Sequence, residues 1–169
     1  ASEAIRASTH CTGFTGAGIS VESGIPPFRG KDGLWNKYDP GLLDLDYFYS
    51  HPDKAWPVIK EIFYEFFGNA RPNEAHIALA ELEKMGLLHS VITQNIDNLH
   101  QEAGSKTVYE FHGNSKYLVC QKCDKRYGVT EELLSAKSPR CKQCGSVLKP
   151  DFIFFGEIIP QDAYQKSVE

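Results

Sequence analysis

Two short cysteine pairs, Cys120-Gln-Lys-Cys123 and Cys141-Lys-Gln-Cys144, constrain this chain more than any other feature. Each pair sets two sulfurs on one turn, and the seventeen residues between the pairs suffice for a hairpin that brings all four together. Four thiolates so arranged match a tetrahedral zinc site with no open coordination position, so one structural zinc is expected. A redox role is disfavoured, because neither pair follows the strand of a thioredoxin-like unit. The fifth cysteine, Cys11, lies in an apolar stretch and reads as a buried packing residue. An odd cysteine count argues against a disulfide framework, and no run approaches the roughly 18 apolar residues of a membrane span. With no apolar signal segment in residues 1–10, the chain reads as cytoplasmic and without a membrane partner.

The charge is uneven. Residues 113–149 carry eight Lys/Arg against three Asp/Glu, a local +5 in a chain of net −4, so the remainder holds −9. Two readings stay open. The basic residues offset the −2 of a four-thiolate zinc site, or they touch nucleic acid. No aromatic–basic interleaving or recognition-helix pattern supports nucleic acid, so it is disfavoured as a partner.

At 41% hydrophobic residues the 169-residue chain is globular, with room for one core and a small appended module. Residues 11–20 read as a short buried strand, a glycine turn and a helix start. Gly24-Ile-Pro-Pro-Phe-Arg-Gly-Lys-Asp-Gly33 holds three glycines and two prolines in ten residues, which marks a functional loop. Residues 42–67 have aromatic and aliphatic residues at helical spacing, interrupted at Pro52 and Pro57, and read as a small helical insertion. Asn73 is placed to cap a helix whose Ala75, Ala78, Leu79, Leu82 and Met85 form one apolar stripe, with Gly86 as its stop. A strand over 90–93, a short helix over 97–103 ended by Gly104, and a strand over 107–111 follow. This alternation implies a parallel sheet of the Rossmann kind. A further strand over 150–155 and a final helix from Pro160 to Glu169 come after the cysteine-rich insert.

The expected class is therefore α/β: a Rossmann-like parallel sheet, incomplete at its C-terminal end, with a small helical insertion and a four-cysteine zinc ribbon. Residues 1–30, 73–112 and 150–169 would build the sheet part, 31–72 the loop and helical insertion, and 113–149 the ribbon.

Gly16-Ala-Gly18 follows a strand, so its backbone N–H groups and the next helix N-terminus would cradle a pyrophosphate. Val21 stands where a dehydrogenase fingerprint has its third glycine, and no acidic strand end follows at the usual distance. Hydride transfer is therefore disfavoured. A dinucleotide stays in view, beside the alternative of a tight turn with no ligand. His112 lies between an apolar strand and a glycine, where an imidazole would project into a ligand crevice and could take a proton near neutral pH. A structural histidine is the other reading there. His76 and His100 sit in helices and read as structural, and Asp97 reads as a helix N-cap. Phe28, in so polar a loop, is hard to explain as core.

Gly16-Ala-Gly-Ile-Ser20, Ser23-Gly-Ile-Pro26, Phe28-Arg-Gly30, Thr93-Gln-Asn-Ile-Asp97, Phe111-His-Gly113, the paired cysteines and Phe155-Gly-Glu157 occur in that order. Together they resemble the sirtuin family over nearly the whole chain. The resemblance implies an NAD-dependent protein-lysine deacylase that releases nicotinamide and O-acyl-ADP-ribose, with acylated lysine in proteins or peptides as its partner. It implies cofactor contacts at Gly16, Ala17, Gly18 and Ser20, with Phe28 and Arg29 covering the cofactor. Gln94, Asn95 and Asp97 would line the ribose and nicotinamide pocket, with His112 as general base and Asn95 beside it in the catalytic set. Ile153 and Phe155 would line the acyl-lysine tunnel.

Acid-acyl removers of the family carry a Tyr and an Arg three residues apart in the helical insertion. Alignment on Trp56 puts Ile59 and Ile62 there, which favours neutral acyl groups. Protein ADP-ribosyl transfer and a non-catalytic NAD- or zinc-binding module remain as alternatives. The family continues through further strands beyond the position of Glu169, so self-association through an incomplete sheet is also expected.

Overall fold

The computed structural model describes residues 2–168; Ala1 and Glu169, the outer ends of the ranges read from sequence, lie outside the described residues. Helix α1, Ser2–Ala7, precedes strand β1, Thr12–Thr15. The helical insertion contains α2, Leu45–Ser50, and α3, Pro52–Lys60, continued by a π-helical turn over Glu61–Phe66. Helix α4 (Glu74–Lys84), strand β2 (Ser90–Thr93), helix α5 (Leu99–Ala103) and strand β3 (Val108–Glu110) follow. Strands β4 (Gly113–Val119) and β5 (Arg126–Gly128), helix α6 (Glu131–Ser135), strand β6 (Lys149–Phe152) and helix α7 (Gln161–Val168) complete the order.

Strands β1, β2 and β3 form one parallel sheet in that order, with Thr15 opposite Thr93 and Thr93 opposite Glu110. The central strand β2 is largely buried, as its apolar run predicts. The expectation that residues 11–15 are buried is corrected. Among the described residues β1 lies at the edge of the three-stranded sheet, Phe14 on it is 61% exposed, and Cys11 is only half-buried.

The strand expected over 150–155 needs a larger correction. It covers Lys149–Phe152 and pairs antiparallel with β4, so it closes the cysteine ribbon rather than extending the parallel sheet. The apolar run at 152–155 suggests a strand but fixes neither its bounds nor its partner, which here is distant in sequence.

Asn73 caps α4 as expected, accepting from the N–H groups of Ala75 and His76, and His76 Nδ1 accepts the Asn73 N–H to complete a capping box. The apolar stripe of α4 is only partly used. Leu79 and Leu82 are half-buried while Ala75, Ala78 and Met85 are exposed, and the one fully buried side chain of the helix is His76. The short helix begins two residues later than expected, because Asn98 takes a left-handed conformation with φ 64°. Asp97 still supports its first turn, Oδ1 accepting from the Leu99 N–H at 3.0 Å. Likewise the final helix starts at Gln161, with the Pro160 carbonyl receiving the Tyr164 N–H at 3.1 Å.

An aromatic core joins the insertion to the ribbon. Phe48 meets Phe154 edge-on at 5.1 Å, Phe63 meets Phe152 at 4.8 Å, and the wholly buried Trp56 donates its indole N–H to the Leu148 carbonyl at 3.0 Å. Each such ring removes on the order of 150–250 Å² from water, so this cluster outweighs the surface ion pairs as a source of stability.

In the ribbon, the four cysteine sulfurs lie within 4.8 Å of one another, with Cys120 to Cys144 at 3.4 Å and Cys123 to Cys141 at 3.5 Å. A tetrahedral zinc with bonds of about 2.3 Å sets sulfurs about 3.8 Å apart, so the donor set and its spacing fit that metal. The Tyr127 hydroxyl lies 3.2 Å from the Cys141 sulfur, a partner for a thiolate. The basic excess of the ribbon is partly spent on carboxylates: Arg126 pairs with Asp151, Lys137 with Asp53, Lys142 with Glu132 and Lys149 with Glu157.

Beneath the parallel sheet, the rings of His76 and His100 stand 4.9 Å apart. The Thr15 hydroxyl donates to Thr93 Oγ1, so it accepts from His100 Nε2 at 2.9 Å. That leaves His100 Nδ1 buried with no hydrogen-bond partner among the described residues. Burial, with the His76 ring beside it, pushes the His100 pKa down to about 4, against a weaker upward pull from Asp97. Folded His100 thus stays neutral where an unfolded imidazole, near 6.5, takes up a proton.

Two outcomes are expected. Between those values the unfolded chain binds more protons, so stability is full above about pH 6.5 and falls as pH drops towards about 4. Denaturant unfolding across that window should show a loss on the order of 2–3 kcal/mol, and His100→Gln should flatten the slope. Separately, the protein should carry about one zinc per chain, and Cys141→Ala should aggregate or melt early rather than lose only a chemical step. Elemental analysis with a thermal melt reads both; a stable, metal-free native protein would contradict the site.

Candidate functional site

A cavity of about 630 Å³ opens where the glycine- and proline-rich loop, the helical insertion, the end of β2 and the segment after β6 converge. Ala17, Phe28, Arg29, Gln94, His112, Ile153 and Phe155, all singled out from the sequence, line this one space. Pro27, Trp35, Leu43, Phe63 and Ile96 line it too and escaped the sequence reading. Phe63 continues the apolar positions Ile59 and Ile62 on the insertion, a signal that could have found it. Trp35 and Leu43 carry no such mark.

Residues 17–23 wind as a 3-10 turn rather than the α-helix start that was expected, ending at Gly24 with φ 86°. No heavy atom lies within 4 Å of where a Cβ would sit on Gly16 or Gly18, so a ligand phosphate can approach the main chain there. Asn73 ties this turn to α4: while its amide oxygen caps the helix, its nitrogen donates to the Ile19 carbonyl at 2.7 Å and to Ser23 Oγ at 3.0 Å.

Phe28 is partly a packing residue, contrary to expectation. Its ring lies 5.3 Å from Trp35 and 6.3 Å from Phe63, so it anchors the loop to the insertion while one face meets the cavity. Arg29 beside it is exposed.

Gly16, Gly18, Ser20, Asn95 and Asp97 are not among the lining residues. Three of them form a buried polar layer behind the cavity. Asn95 Nδ2 donates to the Gly16 carbonyl at 3.2 Å and to Ser20 Oγ at 3.1 Å, and Ser20 Oγ donates to Asp97 Oδ2 at 2.7 Å. His76 completes the set. Its Nδ1 accepts the Asn73 N–H, so Nε2 carries the proton and faces Ser20 Oγ at 3.5 Å. His76 therefore reads as a support for the polar layer, a role that its place in a helix does not reveal.

His112 sits in the two-residue passage from β3 to β4. Its Nδ1 lies 2.9 Å from the Gln94 carbonyl oxygen, which can only accept, so Nδ1 carries the proton and Nε2 keeps a free lone pair. From the other side the Ile153 N–H donates to the His112 carbonyl at 2.8 Å, joining the histidine backbone to the wall that carries Phe155. Phe155 in turn exchanges main-chain bonds with the insertion, donating to Leu43 at 2.8 Å and accepting from Leu45 at 3.2 Å. A proton acceptor and an apolar wall thus share one space, which the turn of Gly16 and Gly18 reaches through Ala17. Such a space suits an acyl chain beside a phosphate-bearing co-substrate.

The Sir2 family model matches residues 16–169. The chain is 50% identical to an NAD-dependent protein deacetylase of Pyrobaculum aerophilum over 91% of its own length and 61% of that protein's. It is 48% identical to an NAD-dependent protein deacetylase of Thermotoga maritima, over 92% of its own length and 64% of that protein's. Among solved structures it is similar to a Sir2 complex with a p53 peptide and NAD+, at TM-score 0.88 and 44% identity, covering 98% of this chain and 68% of that one. A Sir2 structure bound to an acetylated peptide is similar at TM-score 0.87 and 43% identity, covering 98% and 67%. The chain thus spans less than two thirds of the length of the two curated relatives. By the family model and by these identities, it belongs to the Sir2 family.

Proposed function

We propose that this chain carries the catalytic face of an NAD-dependent protein-lysine deacylase, which moves an acyl group from lysine to ADP-ribose and releases nicotinamide. The single observation that carries this reading is the fixed tautomer of His112 beside an apolar wall. With Nδ1 spent on the Gln94 carbonyl, Nε2 is free to take a proton from a ribose hydroxyl. NAD, when bound, supplies the leaving nicotinamide and the hydroxyl that receives the acyl group.

Gly16, Ala17 and Gly18 would meet its pyrophosphate through the main chain in this Rossmann-like part of the molecule, and Phe28 with Arg29 would cover it. Ser20, Asn95 and Asp97 would hold the ribose and nicotinamide side, their mutual hydrogen bonds setting Asn95 and Asp97 before the ligand arrives. Ile153 and Phe155 would flank the acyl-lysine chain. The relatives are named as deacetylases, and solved neighbours hold NAD+ and acetylated peptide, which supports the same assignment here.

Ile59 and Ile62 are almost wholly buried, packed behind Trp35 and Phe63 of the cavity wall. Neither offers a cation to a carboxylate carried on an acyl group, which left unpaired would cost several kcal/mol. Neutral acyl groups are the substrates this insertion suits.

Incubation with NAD and an acetyl-lysine peptide, followed by mass analysis, tests the whole reading. Deacetylated peptide and acetyl-ADP-ribose should appear in equal amounts with nicotinamide. ADP-ribose attached to protein would favour the transferase alternative, and no peptide-dependent nicotinamide release would favour a binding module. In the same assay His112→Ala should lower turnover about 10²–10⁴-fold with an unchanged thermal midpoint. Acetyl-lysine should also be processed faster than succinyl-lysine on matched peptides; equal or reversed rates would refute the assignment of Ile59 and Ile62.

A further inference from the structure

Lys149 is 3% exposed in its side chain, and its ammonium meets the Glu157 carboxylate at 2.9 Å. Its three protons are all placed, on Glu157 Oε2, on the Pro150 carbonyl at 2.9 Å and on the Phe152 carbonyl at 2.6 Å. Glu157 is equally committed. Its Oε2 also accepts the Phe154 N–H at 2.7 Å, and its Oε1 accepts from Gln121 Nε2 at 3.0 Å.

A buried ion pair adds little net stability over apolar residues of the same volume, so the pair calls for another explanation than cohesion. Its geometry offers one. The carboxylate folds back onto the turn at 154–157, which also closes through the Glu157 N–H on the Phe154 carbonyl at 3.0 Å. Phe155, on the cavity wall, rides on that turn. Both side-chain donors to the carboxylate come from the zinc ribbon. Gln121 lies inside the first cysteine pair, and Lys149 pairs in register with Val119, next to Cys120.

We propose that the Lys149–Glu157 pair, with Gln121, is a positioning latch that sets the Phe155 wall of the acyl-lysine tunnel from the zinc ribbon. Lys149 does not line the cavity, and Glu157, which does, is held by its carboxylate in the turn that fixes where Phe155 stands. This inference rests on the deacylase reading for its kinetic effect, but not for its structural one.

The test uses the zinc-loaded protein and four variants: Lys149→Met, Glu157→Gln, both together, and Lys149→Arg. Amide exchange over residues 153–157 should quicken about tenfold in each of the first two, without a comparable rise in β1, β2 or α4. The KM for acetyl-lysine peptide should rise about tenfold, with kcat and the KM for NAD within about threefold, and zinc content should stay the same. If the two residues act as one unit, the double variant resembles either single rather than multiplying them. Lys149→Arg, which keeps the charge, should recover most of both effects.

Unchanged exchange at 153–157, exchange that quickens evenly along the chain, or a fall in kcat at constant KM would each overturn the latch. Should Lys149→Met not fold, Glu157→Gln, nearly isosteric, carries the same comparison. Absence of deacylation in the unmodified protein would remove the proposed function, while the exchange data would still decide the latch.

Discussion

Two backbones cross where the chain leaves the parallel sheet and enters β4, and the crossing leaves no room for a side chain. A Cβ on Gly113 would stand 2.3 Å from the Asp151 carbonyl oxygen, and Gly113 has φ 74°, so only glycine meets both demands. The chain ends β3 at Glu110 and begins β4 at Gly113, so this contact lets it pass from one sheet to the other within two residues. His112 is one of those two. Its ring is held by Gln94 from the parallel sheet, and its carbonyl by Ile153 from the ribbon side. The histidine owes its orientation to both layers at once, and either layer shifting alone would pull it out of line.

The same division of labour runs through the polar layer. Ser20 gives its proton to Asp97 and receives from Asn95 and, more distantly, from His76. A buried network with every member partnered is rigid, and one with a member missing is costly. That asymmetry accounts for the fully buried His76, whose neutral ring fills space and holds a donor towards Ser20 without adding charge beside Asp97.

Much of this was legible in the residues. The paired cysteines announce their own cluster, because four sulfurs at those spacings have few other arrangements. Asn73 declares the start of α4 through local capping chemistry, and the apolar run at 90–93 declares the central strand. What stayed hidden depends on partners far along the chain. The apolar run at 152–155 suggests a strand nearby whichever sheet it joins, and only the pairing of Lys149–Phe152 with β4 removes that strand from the parallel sheet. Phe28 looks out of place in a polar loop until Trp35 and Phe63 come beside it. His76 and His100 read as bland structural residues because helical position is local, whereas their partners Ser20 and Thr15 lie on other elements.

The two tryptophans stand in opposite environments, and this has an optical consequence. Trp56 is wholly buried with its indole bonded to Leu148, so its emission has little reason to respond to events at the cavity. Trp35 is half-buried, 5.3 Å from the Phe28 ring and 6.4 Å from the Phe155 ring, where the glycine- and proline-rich loop meets the Phe155 wall of the cavity. Any change in how those two rings close on a ligand alters the polarity around one indole and not the other. The chain therefore carries its own fluorescent reporter of the cavity's occupancy, with a second chromophore built in as an internal reference.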